Sequence, residues 1–307
     1  MNQHPATYSG TLPLTVTALA LFLWVLLGVL SPMGIAQTER TASIGHTVYV
    51  ELDSAPFPHA SRSAGYTRRE TFYSAEEHYS DSTVMIFTPE GYHPGETVDV
   101  LVYFHGHGNH VRRSVEEFGL REQLVNSGRQ LVLVFPQGPY DVPDSSAGKL
   151  GDDGGLKSLM DEVLPHLAVE GVSPELGEIV LAGHSGAYLA IGRCLAVGGV
   201  GEHINEVHLL DATYGQWEEI VDWVAADPAQ HKLFSVFTNH LAAANVELIT
   251  RLEAAGITTT LTGDRFETLG DGPWPPRVFV HAVLSDHGQA VGWLERSLRA
   301  RGPRVVE

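Results

Sequence analysis

Basic residues are scarce in this sequence of 307 residues: Lys and Arg together number 19, against 37 Asp and Glu, and the formal net charge is -18. A surface this acidic repels the phosphates of nucleic acids and the headgroups of anionic membranes. We therefore expect neither nucleic acid nor an anionic lipid surface as a partner. Net charge leaves both the fold and the oligomeric state open.

Cysteine is almost absent, because Cys194 is the only one. No intramolecular disulfide can form in any compartment, and no Cys-x-x-Cys metal site exists. Internal repeats and low-complexity tracts are also lacking, which indicates a globular chain. Its length is enough for one large domain with a sizeable core.

The first 36 residues contain no Asp, Glu, Lys or Arg. They hold an apolar run, LPLTVTALALFLWVLLGVL at residues 12–30, followed by the small residues Gly34 and Ala36. The length of the run and the small residues after it predict a signal peptide cleaved before Gln37 or an N-terminal membrane anchor, although a basic start is missing. We expect export to the periplasm or beyond, with any membrane contact confined to this segment.

Apolar runs with the length of strands alternate with helix-like patterns along the rest of the chain. The strand candidates are residues 47–52, 84–88, 98–104, 130–135, 178–182, 207–210, 232–237 and 277–284. The helix candidates are residues 113–126, 155–169, 187–197, 216–226, 241–255 and 289–300. This alternation predicts an α/β fold, with a mostly parallel sheet covered by helices on both faces.

Ligands bind such a sheet at the carboxyl ends of its strands. The stretch LAGHSGAYLA at residues 181–190 places Ser185 at one of these ends, between small residues and directly before a helical pattern. A strained strand-to-helix turn that presents a nucleophilic serine has this form. An ordinary tight turn or a helix-capping serine also fits these ten residues.

Two further strand ends supply the other groups that an activated serine needs. Asp211 follows one strand candidate and His287 follows the last one, so the chain order is serine, acid, histidine. A base must take the serine proton, and an acid must orient that base and stabilise its charged form. Other residues compete for these roles: Asp264, Asp271 and Asp286 for the acid, and His240 and His281 for the base.

These motifs resemble the α/β-hydrolase superfamily over residues 80–300. The resemblance implies an oxyanion hole formed by Gly186 together with Gly106 and His107, in the stretch YFHGHG at residues 103–108. FPQG at residues 135–138 and DDGGL at residues 152–156 are similar to secreted esterases of the feruloyl-esterase and polyester-depolymerase type. Ala187 departs from the usual pattern, which has glycine there.

The resemblance implies a serine hydrolase that acts on a small-molecule or polymer ester, or an amide, and that needs no cofactor or metal. It divides the chain into the leader at residues 1–36, a lead-in with an early strand at residues 37–80, and a hydrolase domain at residues 81–301. The resemblance leaves open which acyl group and which leaving group the substrate carries.

Two alternatives belong to other functional classes. His105, His107 and His110 resemble the zinc motif of the metallo-β-lactamase superfamily, and three imidazoles at this spacing can hold zinc with an open position for water. Asn109 stands where that motif has aspartate. The second alternative is a non-catalytic binding module with a hydrolase fold.

Overall fold

A computed structural model describes residues 37–41, 44–92, 95–264, 269 and 273–300. Within them, ten strands form one sheet in the order β1-β2-β5-β7-β6-β8-β9-β10-β12-β11, and β3 and β4 pair separately. The strands are β1 (Gln37–Thr41), β2 (Gly45–Glu51), β3 (Tyr66–Arg68), β4 (Thr71–Tyr73), β5 (Thr83–Pro89), β6 (Thr97–Phe104), β7 (Val132–Pro136), β8 (Glu175–His184), β9 (Ile204–Leu210), β10 (Lys232–Phe237), β11 (Thr260–Gly263) and β12 (Arg277–His281). Strands β6 to β12 are parallel, while β1, β2 and β5 form an antiparallel edge.

Helices cover both faces of the sheet, as the sequence predicted. They are α1 (Ala75–His78), α2 (Val111–Phe118), α3 (Leu120–Ser127), α4 (Gly155–Val163), α5 (Tyr188–Val197), α6 (Trp217–Ala226), α7 (Ala242–Ala254) and α8 (Leu294–Arg299). Apolar side chains of α4, α5, α6 and α7 pack in one core cluster, and those of α2, α3 and α8 pack in another. The sheet lies between these two layers.

Strand β6 shows why its sequence is almost continuously apolar. Val100 and Val102 belong to the core on one face, whereas Leu101 and Tyr103 belong to the core on the other. Successive side chains of a strand point to opposite faces, so a central strand between two helical layers needs an apolar residue at every position.

Two local expectations differ from the structure, and one strand was not predicted. The helix expected at residues 113–126 is two helices, since Gly119 between them has a left-handed backbone (φ 57°) that ends α2. The strand expected at residues 277–284 ends at His281. The edge strand β11 has no buried residue, and so it lacks the apolar signal from which a strand is read.

The leader expected at residues 1–36 lies outside the described residues. Among the described helices, none combines the length and the apolar character that crossing a bilayer requires. Cys194 is buried on α5, where burial raises the pKa of its thiol to about 12. A thiol held neutral in this way behaves as a small apolar side chain.

Candidate active site

The carboxyl ends of the central strands lie side by side and carry most of the candidate residues. Phe104 pairs with Gly183, and Leu210 pairs with both His184 and Val236. The residues that follow these positions therefore meet at one edge of the sheet. Ser185, Asp211 and the loop after β6 are brought to this edge by strand pairing alone.

Ser185 stands at a sharp turn between β8 and α5. Its backbone is left-handed (φ 54°), which costs a residue with a side chain on the order of 1–3 kcal/mol. A Cβ built on Gly183 would come within 2.5 Å of the Ala187 Cβ. The turn thus accommodates the methyl group of Ala187 because Gly183 has none, which explains how the chain tolerates the departure from glycine at residue 187.

Asp211 and His287 are joined by a hydrogen bond. The Nδ1 atom of His287 lies 2.7 Å from Oδ2 of Asp211, whose side chain is fully buried. Thr238 donates twice more to this carboxylate, from its backbone N–H (2.9 Å) and its hydroxyl (2.8 Å). Burial raises the pKa of Asp211, but the hydrogen bonds from His287 and Thr238 outweigh it and leave the pKa below its usual value. The carboxylate is therefore ionised at neutral pH and can orient and stabilise a charged imidazole.

Ser185 and His287 do not share a hydrogen bond within the described part of the chain. The neighbouring His184 contacts His287 instead, with its Nε2 at 3.0 Å from the His287 carbonyl oxygen and ring centroids 4.4 Å apart. Burial raises the pKa of the Tyr214 phenol, and Ser185 acts against this larger effect and lowers it. Hydrogen bonds of catalytic groups in ligand-free sites are often long and tighten only when substrate binds.

The loop after β6 lies directly against the serine turn. A Cβ on Gly106 would be 2.7 Å from the Ser185 Cβ, and one on Gly186 would overlap the His107 ring. Gly106 thus lies against Ser185, and the His107 ring lies against Gly186, at the place where the sequence resemblance predicts the oxyanion hole. Only glycine fits at these two positions without displacing its neighbour.

His105 holds this loop in place. Its Nε2 accepts hydrogen bonds from the backbone N–H of Gly138 (3.2 Å) and from the side chain of Gln137 (3.0 Å), so its Nδ1–H donates to the Gly106 carbonyl (2.8 Å). Burial lowers the pKa of His105 to about 4, against which the bond to Gly106 acts. The ring is neutral at pH 7, and both of its nitrogens are occupied.

In the structure, His105, His107 and His110 do not converge on a common metal position. Both nitrogens of His105 have protein partners, His107 Nε2 lies 2.6 Å from Ser145 Oγ, and the His110 ring stacks on Tyr140 with centroids 4.7 Å apart. Among the described residues, the one set of three metal-binding side chains that converges is Asp211, His240 and His287. The alternative interpretation, a zinc site at His105, His107 and His110, is therefore wrong for the described residues.

The competing acids and histidines have other structural partners. Asp286 accepts a hydrogen bond from the backbone of Gln289 (2.8 Å), and Asp264 accepts one from the backbone of Leu284 (3.0 Å). His281 stacks on Phe237 with centroids 4.9 Å apart. Asp271 lies outside the described residues.

Two residues of the site were not singled out as functional from the sequence. The Tyr214 hydroxyl lies 2.8 Å from His240 Nε2, close to the Asp211–His287 pair. From the sequence, His240 was considered only as a rival base, and Tyr214 was assigned no role. The sequence signal for them is that Tyr214 follows β9 and His240 follows β10, at the edge of the sheet where ligands bind.

No family model and no curated protein matches the chain at the level of sequence. Solved structures do match it. An S-formylglutathione hydrolase from Agrobacterium tumefaciens superposes with a TM-score of 0.50 at 14% identity, over 86% of this chain and 96% of that one. The feruloyl esterase module from Clostridium thermocellum gives a TM-score of 0.49 at 14% identity, over 86% and 95% of the two chains. Together with the strand order and the serine turn, the first of these similarities shows that the chain has the α/β-hydrolase fold.

Proposed function

We propose that the chain is a serine hydrolase that cleaves carboxylic esters through an acyl-enzyme on Ser185. The observation that carries the proposal is the buried, ionised Asp211 held 2.7 Å from His287 Nδ1, beside a serine in a strained strand-to-helix turn. With Asp211 as its acceptor, His287 carries its proton on Nδ1 and keeps Nε2 free to act as a base. An Asp–His pair with a purely structural role would not need a serine in a strained turn beside it.

In this mechanism His287 Nε2 takes the Ser185 proton as the serine oxygen bonds to the ester carbonyl carbon. The carbonyl electron pair moves onto its oxygen, which the N–H groups of Gly186 and of Gly106 or His107 stabilise. The imidazolium then gives its proton to the leaving oxygen as the ester bond breaks. Water, activated by the same histidine, releases the acid and restores Ser185.

A specific observation favours a second candidate, the non-catalytic binding module. Within the described residues, no hydrogen bond joins Ser185 to His287, whose Nδ1 contacts Asp211. If that arrangement persisted with ligand bound, the serine would have no base and would not react. The two candidates therefore differ in whether Ser185 is nucleophilic.

Reaction with a fluorophosphonate separates them. We expect stoichiometric labelling of Ser185, located by peptide mass spectrometry, together with loss of activity on a panel of fluorogenic esters, thioesters and amides graded by acyl length. The Ser185→Ala variant is the matched control and should take up no label. An unlabelled wild-type protein, or equal labelling of Ser185→Ala, would exclude the serine hydrolase and leave the binding module.

The surroundings of His287 bear on the kind of substrate. Val283 and Leu284 lie in the loop between β12 and His287 with 50% and 87% of their surface exposed, and Tyr214 is 41% exposed. Single exposed apolar side chains are common on protein surfaces, so it is their place in the loop that leads to His287 that bears on the substrate. They support an ester with an apolar substituent, which the same panel measures.

A further inference from the structure

A second histidine lies beside the Asp211–His287 pair. His240 follows β10, and its Nδ1 lies 3.7 Å from Oδ2 of Asp211, the same oxygen that His287 Nδ1 contacts at 2.7 Å. The two rings meet edge to face, with centroids 5.2 Å apart. One ligand atom from each of the three side chains lies within 4.8 Å of the other two. Two imidazoles thus converge on one carboxylate.

This set of donor atoms suits zinc. Zn²⁺ binds imidazole nitrogen and carboxylate oxygen at about 2.0–2.2 Å in a tetrahedron, which separates its ligand atoms by about 3.3 Å. The distances from Asp211 Oδ2 to the two histidines each differ from that separation by less than about 1 Å. Two histidines and one aspartate fill three corners and leave the fourth for water. Ca²⁺ and Mg²⁺ prefer shells made of oxygen atoms, which two imidazoles do not supply.

Solvent reaches the two histidines, while the aspartate lies beneath them. The side chains of His240 and His287 are 47% and 39% exposed, whereas that of Asp211 is fully buried. An ion that approaches from the side of the histidines therefore meets a carboxylate that is already ionised. The net charge of -18 also raises the concentration of cations around the protein.

Neighbouring groups hold these side chains in the orientation that a metal ion needs. Thr238 donates to both oxygens of Asp211, from its backbone N–H to Oδ1 (2.9 Å) and from its hydroxyl to Oδ2 (2.8 Å). His240 Nε2 lies 2.8 Å from the Tyr214 hydroxyl oxygen. When Nδ1 of His240 binds a metal ion, Nε2 carries the ring hydrogen and donates it to that oxygen. A metal-bound histidine usually has such an acceptor for its second nitrogen.

We propose that Asp211, His240 and His287 form an inhibitory zinc site, an inference that rests on the proposed function because the ion removes the base for Ser185. Zinc bonded to Nδ1 of His287 takes the place of the hydrogen that this nitrogen shares with Asp211. The neutral ring then carries that hydrogen on Nε2, which has no lone pair left to accept the Ser185 proton. The ion only moves a hydrogen from one nitrogen to the other, so its removal restores the base.

Three protein ligands and a water are also the arrangement of catalytic zinc sites. The two roles have opposite effects on ester hydrolysis. An inhibitory ion lowers the rate as it binds, whereas a catalytic ion is required for any rate at all. We therefore expect the protein to be fully active after treatment with a chelator.

Equilibrium dialysis of the chelator-treated full chain against zinc chloride measures binding without any substrate. The wild type should bind one zinc ion tightly. His240→Gln should raise the Kd by about 100-fold or more, and Tyr214→Phe, which removes the acceptor for Nε2–H, should raise it by about 10-fold. His281→Gln is the matched control, because His281 ends the next strand but its Nε2 contacts Asn239 (2.9 Å). It should bind zinc as the wild type does.

Inhibition is measured with the best ester of the panel, and the rate of each variant is expressed relative to its own rate without zinc. In the wild type and in His281→Gln the rate should fall at the zinc concentration that half-saturates binding, and it should recover when chelator is added. In His240→Gln the same fall should need about 100-fold more zinc. Mg²⁺ and Ca²⁺ at the same concentrations should have no effect.

Zinc binding that His240→Gln leaves unchanged, binding without inhibition, or a rate that zinc raises would overturn the inference. Each of these results leaves the serine hydrolase intact, because a fluorophosphonate would still label Ser185 in the zinc-free wild type. Failure of the proposed function has a different signature, namely no labelling of that protein. The inhibitory role then falls with it, and dialysis still decides whether the zinc site exists. Circular dichroism of each variant verifies that the compared proteins are folded.

Discussion

Asp211 is the residue on which the candidate site depends most. It is fully buried and accepts hydrogen bonds from His287 and from both the backbone and the hydroxyl of Thr238. Removing a partner from such a group leaves buried polar atoms unpaired, which is costly. Its charge also decides which nitrogen of His287 carries the proton.

We expect Asp211→Asn to lower kcat by about 10⁴. The asparagine oxygen can still accept from the Thr238 backbone, but its NH₂ group then faces His287 Nδ1. That nitrogen must become an acceptor, so the proton moves to Nε2 and the base for Ser185 is lost. Steady-state kinetics with the best ester of the panel measures the effect.

Asp286→Asn is the matched control, because Asp286 bonds the backbone of Gln289 and not the imidazole. Its kcat should stay within about threefold of the wild type. Near-full turnover by a folded Asp211→Asn protein would show that another carboxylate, Asp264 or Asp271, orients His287.

At the scale of elements, the turn between β8 and α5 sets the position of the nucleophile. Strand and helix approach so closely that residues 183 and 187 have room for a single Cβ between them. The chain places that Cβ on Ala187. The left-handed backbone of Ser185 is maintained by this packing and by the loop of Gly106 against it.

Gly183→Ala should lower the free energy of unfolding by about 1–3 kcal/mol, the usual cost of an extra methyl group in a packed interior. The double variant Gly183→Ala/Ala187→Gly should recover most of that loss, since it moves the one Cβ to the other side of the contact. Urea unfolding of the three proteins provides the comparison. A single variant as stable as the wild type would show that the turn is not this tightly packed.

At the scale of the whole molecule, the interior contains histidines that folding keeps uncharged. Burial lowers the pKa of His105 to about 4, and burial together with the nearby His287 lowers the pKa of His184 to about 4. Between that value and the ordinary pKa of histidine, about 6.5, the unfolded chain binds more protons than the folded one. Stability therefore rises with pH across this window and is lost as the pH falls through it.

We expect the free energy of unfolding to drop by about 2 kcal/mol per buried histidine between pH 7 and pH 5. In His105→Gln this loss of unfolding free energy between pH 7 and pH 5 should be smaller by the contribution of one histidine, whether or not the substitution also destabilises the protein at pH 7. His46→Gln, at an exposed residue, is the control for the loss of a histidine as such. Urea midpoints and slopes at both pH values test this, and an unchanged pH dependence in His105→Gln would contradict it.

Much of the architecture could be predicted because its signals are local. The apolar runs that become the buried parallel strands, the turn at Ser185 and the order Ser185, Asp211, His287 are all properties of short stretches and their succession. Burial on two faces requires continuous apolar runs, and ligands gather where such strands end. The half-exposed β11 and the break at Gly119 escaped prediction, since neither has a strong local pattern.

The α/β class, the absence of intramolecular disulfides and the strand ends that carry reactive groups follow from the amino-acid sequence, since each depends on residue type and short-range periodicity. Folding was needed to show which of four aspartates meets His287, that Tyr214 and His240 lie beside the same carboxylate, and that His105, His107 and His110 diverge. The physical reason is that these contacts join residues far apart in the chain. Strand pairing brings them together, and hydrogen bonds of 2.7–2.9 Å then choose among candidates that are chemically alike.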